Sequence, residues 1–167
     1  MDQESIKQKI LTRFGEDVVQ DVSEFRGQIA VYVDPAKILD LLGFLKTDPE
    51  LAFDFLSFVT AVDKYPETPR FEMVYQINSL ENHHRFRVKA LIEESPEGRA
   101  SIDSVVGIWS SAEWHEREAA EMFGITFRNH PDPRKLLLPE TWEIYPLRKD
   151  FPLEGTEEDT PDLPGGY

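Results

Sequence analysis

The sequence predicts an α+β fold: a mainly antiparallel or mixed sheet with helices on one side, followed by an extended, Pro-rich C-terminal arm. Three observations carry that prediction. Segments 18–25, 28–33, 71–77 and 86–92 read as strands, and Ile29, Val31 and Val33 alternate so as to share one face. Helical spacing sets the segments around them, in the order helix, hairpin, helix, further strands and helix, which suits an α+β sandwich. Seven of the twelve prolines fall between Pro131 and Pro164, a density that favours an extended path over regular elements.

The first helix is expected over residues 3–14. Ile6, Ile10, Leu11 and Phe14 recur at helical spacing, Asp2 stands ready as N-cap and Gly15 as the stop. Arg26-Gly27 is the turn of a hairpin between the first two strands. Asp34-Pro35 announces a second helix, with Asp capping and Pro in the first helical position. That helix, residues 36–46, presents Ile38, Leu39, Leu41, Leu42 and Leu45 as a wide apolar stripe. Asp48-Pro49 starts a short turn, residues 53–62 are strongly apolar, and residues 63–69 form a polar, Pro-rich link. Asn82, His83 and His84 lie at the connection of the next strand pair, where His83-His84 reads as an exposed polar pair. Residues 93–98 form a turn and residues 102–109 an apolar approach to the third helix.

Length and composition bound the function. A chain of 167 residues with 40% hydrophobic content is sized for one core, here assigned to residues 1–127, with residues 128–167 as arm and acidic tail. The net charge of -14 disfavours nucleic acid and anionic lipid surfaces. With no cysteine there is no thiolate for a zinc site, an Fe–S cluster or nucleophilic catalysis. No secretory signal and no apolar run of about 20 residues is visible, so a cytoplasmic chain is expected.

The third helix is framed by the capping-box pattern Ser110-x-x-Glu113 and by Gly124. Ala112, Ala119, Met122 and Phe123 fall on one side; Glu113, Arg117 and Glu121, four apart, fall on another, with Glu118 beside them. Two readings of that ladder stay open. It is either an exposed set of ion pairs contributing about 0.3–0.5 kcal/mol each, or a recognition face that holds Arg117 for a partner. A metal site starting at His115 would need a second His where Ala119 stands. No G-x-S-x-G elbow or phosphate-cradling Gly loop occurs, so no catalytic, cofactor-binding or metal residue is assigned. Downstream, residues 128–150 carry five bases and four acids against an acidic background. Arg134-Lys135 and Arg148-Lys149 stand out there, with Leu136, Leu137, Leu138, Trp142 and Tyr145 as apolar anchors. Such an arm packs either on its own domain or over a neighbour.

The words themselves then become informative. Glu116-Arg117-Glu118, Met122-Phe123-Gly124-Ile125-x-Phe127, His130-Pro131-Asp132-x-Arg134-Lys135-x-Leu137, Pro139-Glu140-x-Trp142 and Pro146-Leu147-Arg148-Lys149-Asp150-Phe151-Pro152 closely resemble the signature of the C subunit (30 kDa type) of respiratory complex I. Asp48-Pro49-Glu50-Leu51, Leu56-x-x-x-Thr60-Ala61-Val62-Asp63 and Phe71-Glu72-x-Val74-Tyr75 resemble it too. Asn129, Pro133 and Ile144-Tyr145 depart from the usual pattern. The resemblance implies a non-catalytic peripheral subunit of a proton-pumping NADH–quinone oxidoreductase, on the cytoplasmic side of the inner (cell) membrane. It implies contacts with the D (49 kDa type), B and I subunits, with FMN, Fe–S clusters and quinone held by partner subunits and none here. The partner-binding residues it implies are Glu116, Arg117, Glu118, Glu121, His130, Arg134, Lys135, Trp142, Arg148, Lys149 and Asp150. Similar subunits occur in membrane-bound energy-converting hydrogenases and in dehydrogenases using other donors, which is the alternative machine.

Overall fold

A computed structural model describes residues 1–155. Helix α1 (Gln3–Phe14) begins at Asp2, whose carboxylate accepts the Ser5 N–H at 2.8 Å, and ends at Gly15 with φ 71°. Strands β1 (Val19–Phe25) and β2 (Gln28–Val33) form a hairpin whose turn residues Arg26 and Gly27 both have positive φ, 52° and 71°. Asp34 caps a 3-10 turn at Pro35–Lys37, so helix α2 proper starts later than the Asp-Pro signal suggests, at Ile38–Thr47. Then come β3 (Phe55–Asp63), β4 (Phe71–Ser79), β5 (His84–Ile92), β6 (Ala100–Asp103), helix α3 (Ala112–Phe123) and β7 (Ile125–Arg128).

The main sheet has the order β1-β2-β5-β4-β3. Its pairs are antiparallel except β2–β5, which is parallel because α2, β3 and β4 intervene before the chain returns. The mixed sheet is the expected class. Register places Val31 and Val33, Phe86, Val88 and Ala90, Met73, Tyr75 and Ile77, and Leu56, Val59 and Ala61 on one face. These residues join Ile6 and Ile10 of α1, Leu41, Leu42 and Leu45 of α2, and Ala112, Ala119 and Phe123 of α3 in one buried cluster. The helices therefore cover that face, as expected, and the opposite face carries most of the sheet's polar side chains.

Three local expectations fail. His84 is not an exposed neighbour of His83: it opens β5, is buried, and its Nε2 lies 2.7 Å from the Leu51 carbonyl with the ring against Phe53. Burial pushes its pKa down. Residues 100–103 are a strand, paired in parallel with β7 across the whole length of α3. The Ser110–Glu113 capping box does not form through side chains: Glu113 N–H meets the Ser110 carbonyl at 3.2 Å, and Ser111 Oγ turns to the Leu56 carbonyl at 3.4 Å. Packing of the helix start on β3 takes the hydroxyl away from the cap.

Candidate functional site: the third helix and its strap

Helix α3 is held between the sheet and the segment that follows β7. The ladder Glu113–Arg117–Glu121 does not exist as an exposed set of pairs, and this is the main correction to the sequence reading. Glu121 is only 4% exposed, and its carboxylate accepts three successive backbone N–H groups, from Leu136 (3.1 Å), Leu137 (2.9 Å) and Leu138 (3.1 Å). Arg117 turns the same way, donating from Nε to the Arg134 carbonyl at 2.7 Å and from Nη2 to the Lys135 carbonyl at 2.9 Å, with Asp132 at 3.7 Å. One anionic and one cationic side chain of α3 thus bind the N–H and C=O groups of a strap that has no regular partner.

Glu116 is fully buried. Its Oε1 accepts the Val105 N–H at 2.7 Å, while Oε2 has no hydrogen-bond partner and lies 3.9 Å from His130 Nε2. Burial pushes its pKa up to about 7, against hydrogen bonds from Ser104 and the Val105 N–H. His130 ties the strap to the helix: Nδ1 accepts the Asp132 N–H at 3.0 Å, so the ring proton sits on Nε2 and points to the Glu113 carbonyl at 3.2 Å. Asp132 in turn receives Arg134 through Nε (2.7 Å) and Nη2 (2.6 Å), and that guanidinium holds its carboxyl well below the usual carboxylate range.

The second fastening is at the Pro146–Pro152 motif. Arg148 donates to the Phe123 carbonyl (2.6 Å), to Glu94 (2.9 Å) and to the Gly98 carbonyl (3.3 Å), and stacks on Tyr145 with its carbon 4.6 Å from the ring centroid. Gly124, left-handed at φ 72°, is where this cluster sits on the helix end: a Cβ there would lie 2.6 Å from Arg148 Nη2 and 2.7 Å from Tyr145. Asp150 pairs with Arg70 at 2.7 Å, and the Lys149 N–H donates to Asp63 at 2.8 Å. Arg70, absent from the sequence reading, is the buried centre here, with Nε and Nη2 forked on Asp63 (3.1 and 2.9 Å) and Nη1 on Glu94 at 2.8 Å. Its pKa is raised by Asp63 first, then by Asp150 and Glu94. Burial would raise the Asp63 carboxyl, but Arg70 and the Lys149 and Tyr65 N–H groups together bring it to about 2. The sequence hint to Arg70 was slight: a lone base between the Pro-rich link and Phe71.

The eleven predicted partner residues therefore divide. Glu116, Arg117, Glu121, His130, Arg148 and Asp150 have contacts within the chain. Glu118 and Arg134 face solvent, Lys149 is exposed, Lys135 Nζ reaches the Pro139 and Glu140 carbonyls at 3.4 Å each, and Trp142 is half-buried. What the fastened strap turns outward is apolar: Trp114, Leu137 and Leu147 are 59%, 62% and 55% exposed. No group of three or more His, Asp or Glu side chains gathers as for a metal ion among the described residues. None of the described helices is long and apolar enough to cross a membrane. The arrangement is a fastening, and the acidic tail expected over residues 153–167 lies outside the described residues from 156 onward.

Residues 31–157 match the family described as respiratory-chain NADH dehydrogenase, 30 Kd subunit. The chain is 45% identical over 149 residues to the second C subunit of the NADH-quinone oxidoreductase of Rhizobium etli (strain CIAT 652), covering 89% of this chain and 77% of that one. It is 45% identical over 142 residues to the C subunit of the NADH-quinone oxidoreductase of Roseiflexus sp. (strain RS-1), covering 85% and 79%. Among solved structures, it resembles a chain in the membrane-bound sulfane sulfur reductase, an archaeal respiratory membrane complex. That match has a TM-score of 0.74 and 27% identity over 90% of this chain and 85% of the other.

Proposed function

Because the chain belongs to the 30 kDa subunit family of respiratory-chain NADH dehydrogenases, we propose that it is a non-catalytic peripheral subunit of a proton-translocating NADH–quinone oxidoreductase. Its work is to dock on the D (49 kDa type) subunit, with the B and I subunits beside it, and so stabilise the quinone-reducing module. FMN, Fe–S clusters and quinone belong to partner subunits, and the chain lies on the cytoplasmic side of the membrane through the complex. One observation carries this reading: charged side chains are turned inward to stiffen an irregular strap, and large apolar ones are left outside. A strap ordered before docking loses less conformational entropy on binding, so apolar contact converts more fully into affinity.

The test replaces Trp114 and Leu137 with Ala, singly and together, and follows incorporation by native mass spectrometry of the purified complex. Loss of a buried anchor worth about 2 kcal/mol lowers affinity about 30-fold, while the melting temperature of the isolated chain stays close to the parent. Full incorporation of the double variant removes the strap from the docking role. The similarity to the sulfane sulfur reductase chain supports a second reading, an equivalent subunit of a machine with another electron donor. The higher identity to quinone-linked relatives favours the first. Co-purification of NADH-binding flavoprotein subunits supports the first reading; co-purification of a nickel–iron hydrogenase subunit supports the second.

A further inference from the structure

The sheet face turned away from the helices is built for contact as well, and by different residues. Two rows of side chains cross it. In one, Phe25 pairs with Gln28, and Arg85 and Phe55 both pair with Asn78; in the next, Arg87 pairs with Ala30 and Gln76, and Gln76 with Phe58. The bulge at Ser57 is what puts Phe55 and Phe58 on the same side, because a spacing of three would otherwise send them to opposite faces. Phe25 and Phe55 are 71% and 45% exposed. A hollow of about 340 Å³ opens over Arg85, Arg87, Gln28, Gln76, Asn78 and Phe58.

The charge on this face runs against the chain. Asp and Glu outnumber Lys and Arg 32 to 18, yet among the described residues no acid lines the hollow. Arg70, Arg117, Arg128, Arg134 and Arg148 each sit beside a carboxylate. Arg87 instead rests on neutral amides, donating from Nε to Gln76 Oε1 at 3.0 Å and from Nη2 to Gln28 Oε1 at 3.4 Å. The Gln76 amide is itself fixed by its bond to the Phe86 carbonyl at 3.0 Å. The guanidinium is thus oriented with Nη1 left over. One pleat further along, Glu72 is answered by Lys89 at 2.7 Å and Tyr32 at 3.0 Å, so the uncompensated charge belongs to the Arg85–Arg87 end alone.

We propose that this outer face is a second docking surface whose occupant is an acidic segment of a neighbouring protein chain. Its carboxylates would fork onto Arg85 and Arg87, and its apolar side chains would lie on Phe25, Phe55 and Phe58. Arg flanked by aromatic residues is the composition of an interface centre, and a planar carboxylate is the ligand that uses a guanidinium fork fully. The net charge of -14 opposes a long polyanion such as nucleic acid. A short acidic segment feels mainly the local field, since distant charges are screened beyond about 8 Å at physiological salt. The proposal goes beyond the strap: the two surfaces lie on opposite sides of the sheet, so the chain joins two neighbours.

The test is made on the assembled complex with the Arg85→Lys/Arg87→Lys double variant, treated with a zero-length carbodiimide that couples amines to carboxylates. The expected result is a cross-linked peptide joining residues 85–87 to an Asp- or Glu-rich peptide of another chain, with the coupling lost in high salt. In parallel, Arg85→Glu/Arg87→Glu should lower incorporation about tenfold or more while the isolated chain melts as the parent does. Coupling elsewhere in the complex but none at residues 85–87, or wild-type incorporation of the charge-reversed chain, overturns the proposal. Neither result touches the strap, whose Trp114 and Leu137 variants are read separately.

Discussion

Glu116 is an acid that the fold keeps protonated almost to neutral pH. Its pKa rises from 4.5 to about 7 because the side chain is fully buried and Oε2 has no partner. A carboxyl raised on folding contributes stability that is complete below its unfolded value and is lost as pH climbs through its folded value. The window is therefore about pH 4.5 to 7, and the loss across it is about 3 kcal/mol. Glu116→Gln keeps the acceptor for the Val105 N–H and stays neutral, so it should be the more stable protein at pH 8 and equal to the parent near pH 4. Urea unfolding across that range measures the gap; parallel curves for the two proteins would sink the assignment. Asp63 works with the opposite sign. Held at about 2 instead of 3.8, it contributes about 2 kcal/mol that is present above pH 3.8 and disappears as pH falls through 2. Asp63→Asn should remove that acid-side slope and leave the neutral slope of Glu116 intact.

At the scale of the element, α3 is an instrument for ordering a strap that cannot order itself. Glu121 provides one carboxylate for three consecutive N–H groups, and a charged hydrogen bond of this kind is worth about 1.5–3 kcal/mol. Glu121→Gln should raise amide hydrogen exchange at Leu136, Leu137 and Leu138 well above the rest of the chain, with α3 itself still protected. Unchanged protection there would mean the strap is held by its prolines and leucines instead. Gly124→Ala should disturb the other end: the left-handed conformation costs about 1 kcal/mol, and the added Cβ displaces Arg148 and Tyr145. How much of this was legible in the sequence depends on distance along the chain. The Asp2 cap, the Arg26-Gly27 turn and the α2 stripe were, because each is decided within a few residues. The inward turn of Glu116, Arg117 and Glu121 was not: four-residue spacing places them on the helix but says nothing about a strap that returns from residues 130–138 to cover them. The short β6–β7 pair escaped for the same reason, since a four-residue parallel strand has no period of its own to read. The family words at Glu116–Glu118 and His130–Lys135 marked the right segment, but carried no sign of the contacts within the chain that six of the eleven residues make.

For the whole molecule, Arg70 decides whether strap and domain behave as one body. It joins the end of β3 through Asp63, the loop after β5 through Glu94 and the strap through Asp150. Arg148 reaches the same Glu94 from the other side, so two guanidinium groups and three carboxylates close a ring between sheet and strap. Removing the buried cation strands Asp63 and Glu94, a loss of about 3–5 kcal/mol. Arg70→Ala should therefore lower global stability and free residues 148–150 to exchange in the same step. Arg148→Lys should release the strap with a smaller global loss, because an ammonium cannot serve the Phe123 carbonyl, Glu94 and the Gly98 carbonyl together. Leu137→Ala, which touches the outside alone, should leave stability within about 0.5 kcal/mol. Incorporation into the complex should fall in all three, but for different reasons: the first two lose the ordered strap, the third loses a contact made by a strap still in place. Chemical unfolding and hydrogen exchange of the isolated chain separate these cases before any complex is assembled. If Arg70→Ala loosened residues 148–150 while the sheet kept its full stability, strap and domain would be separate bodies, and the ring of charges would be a latch between them.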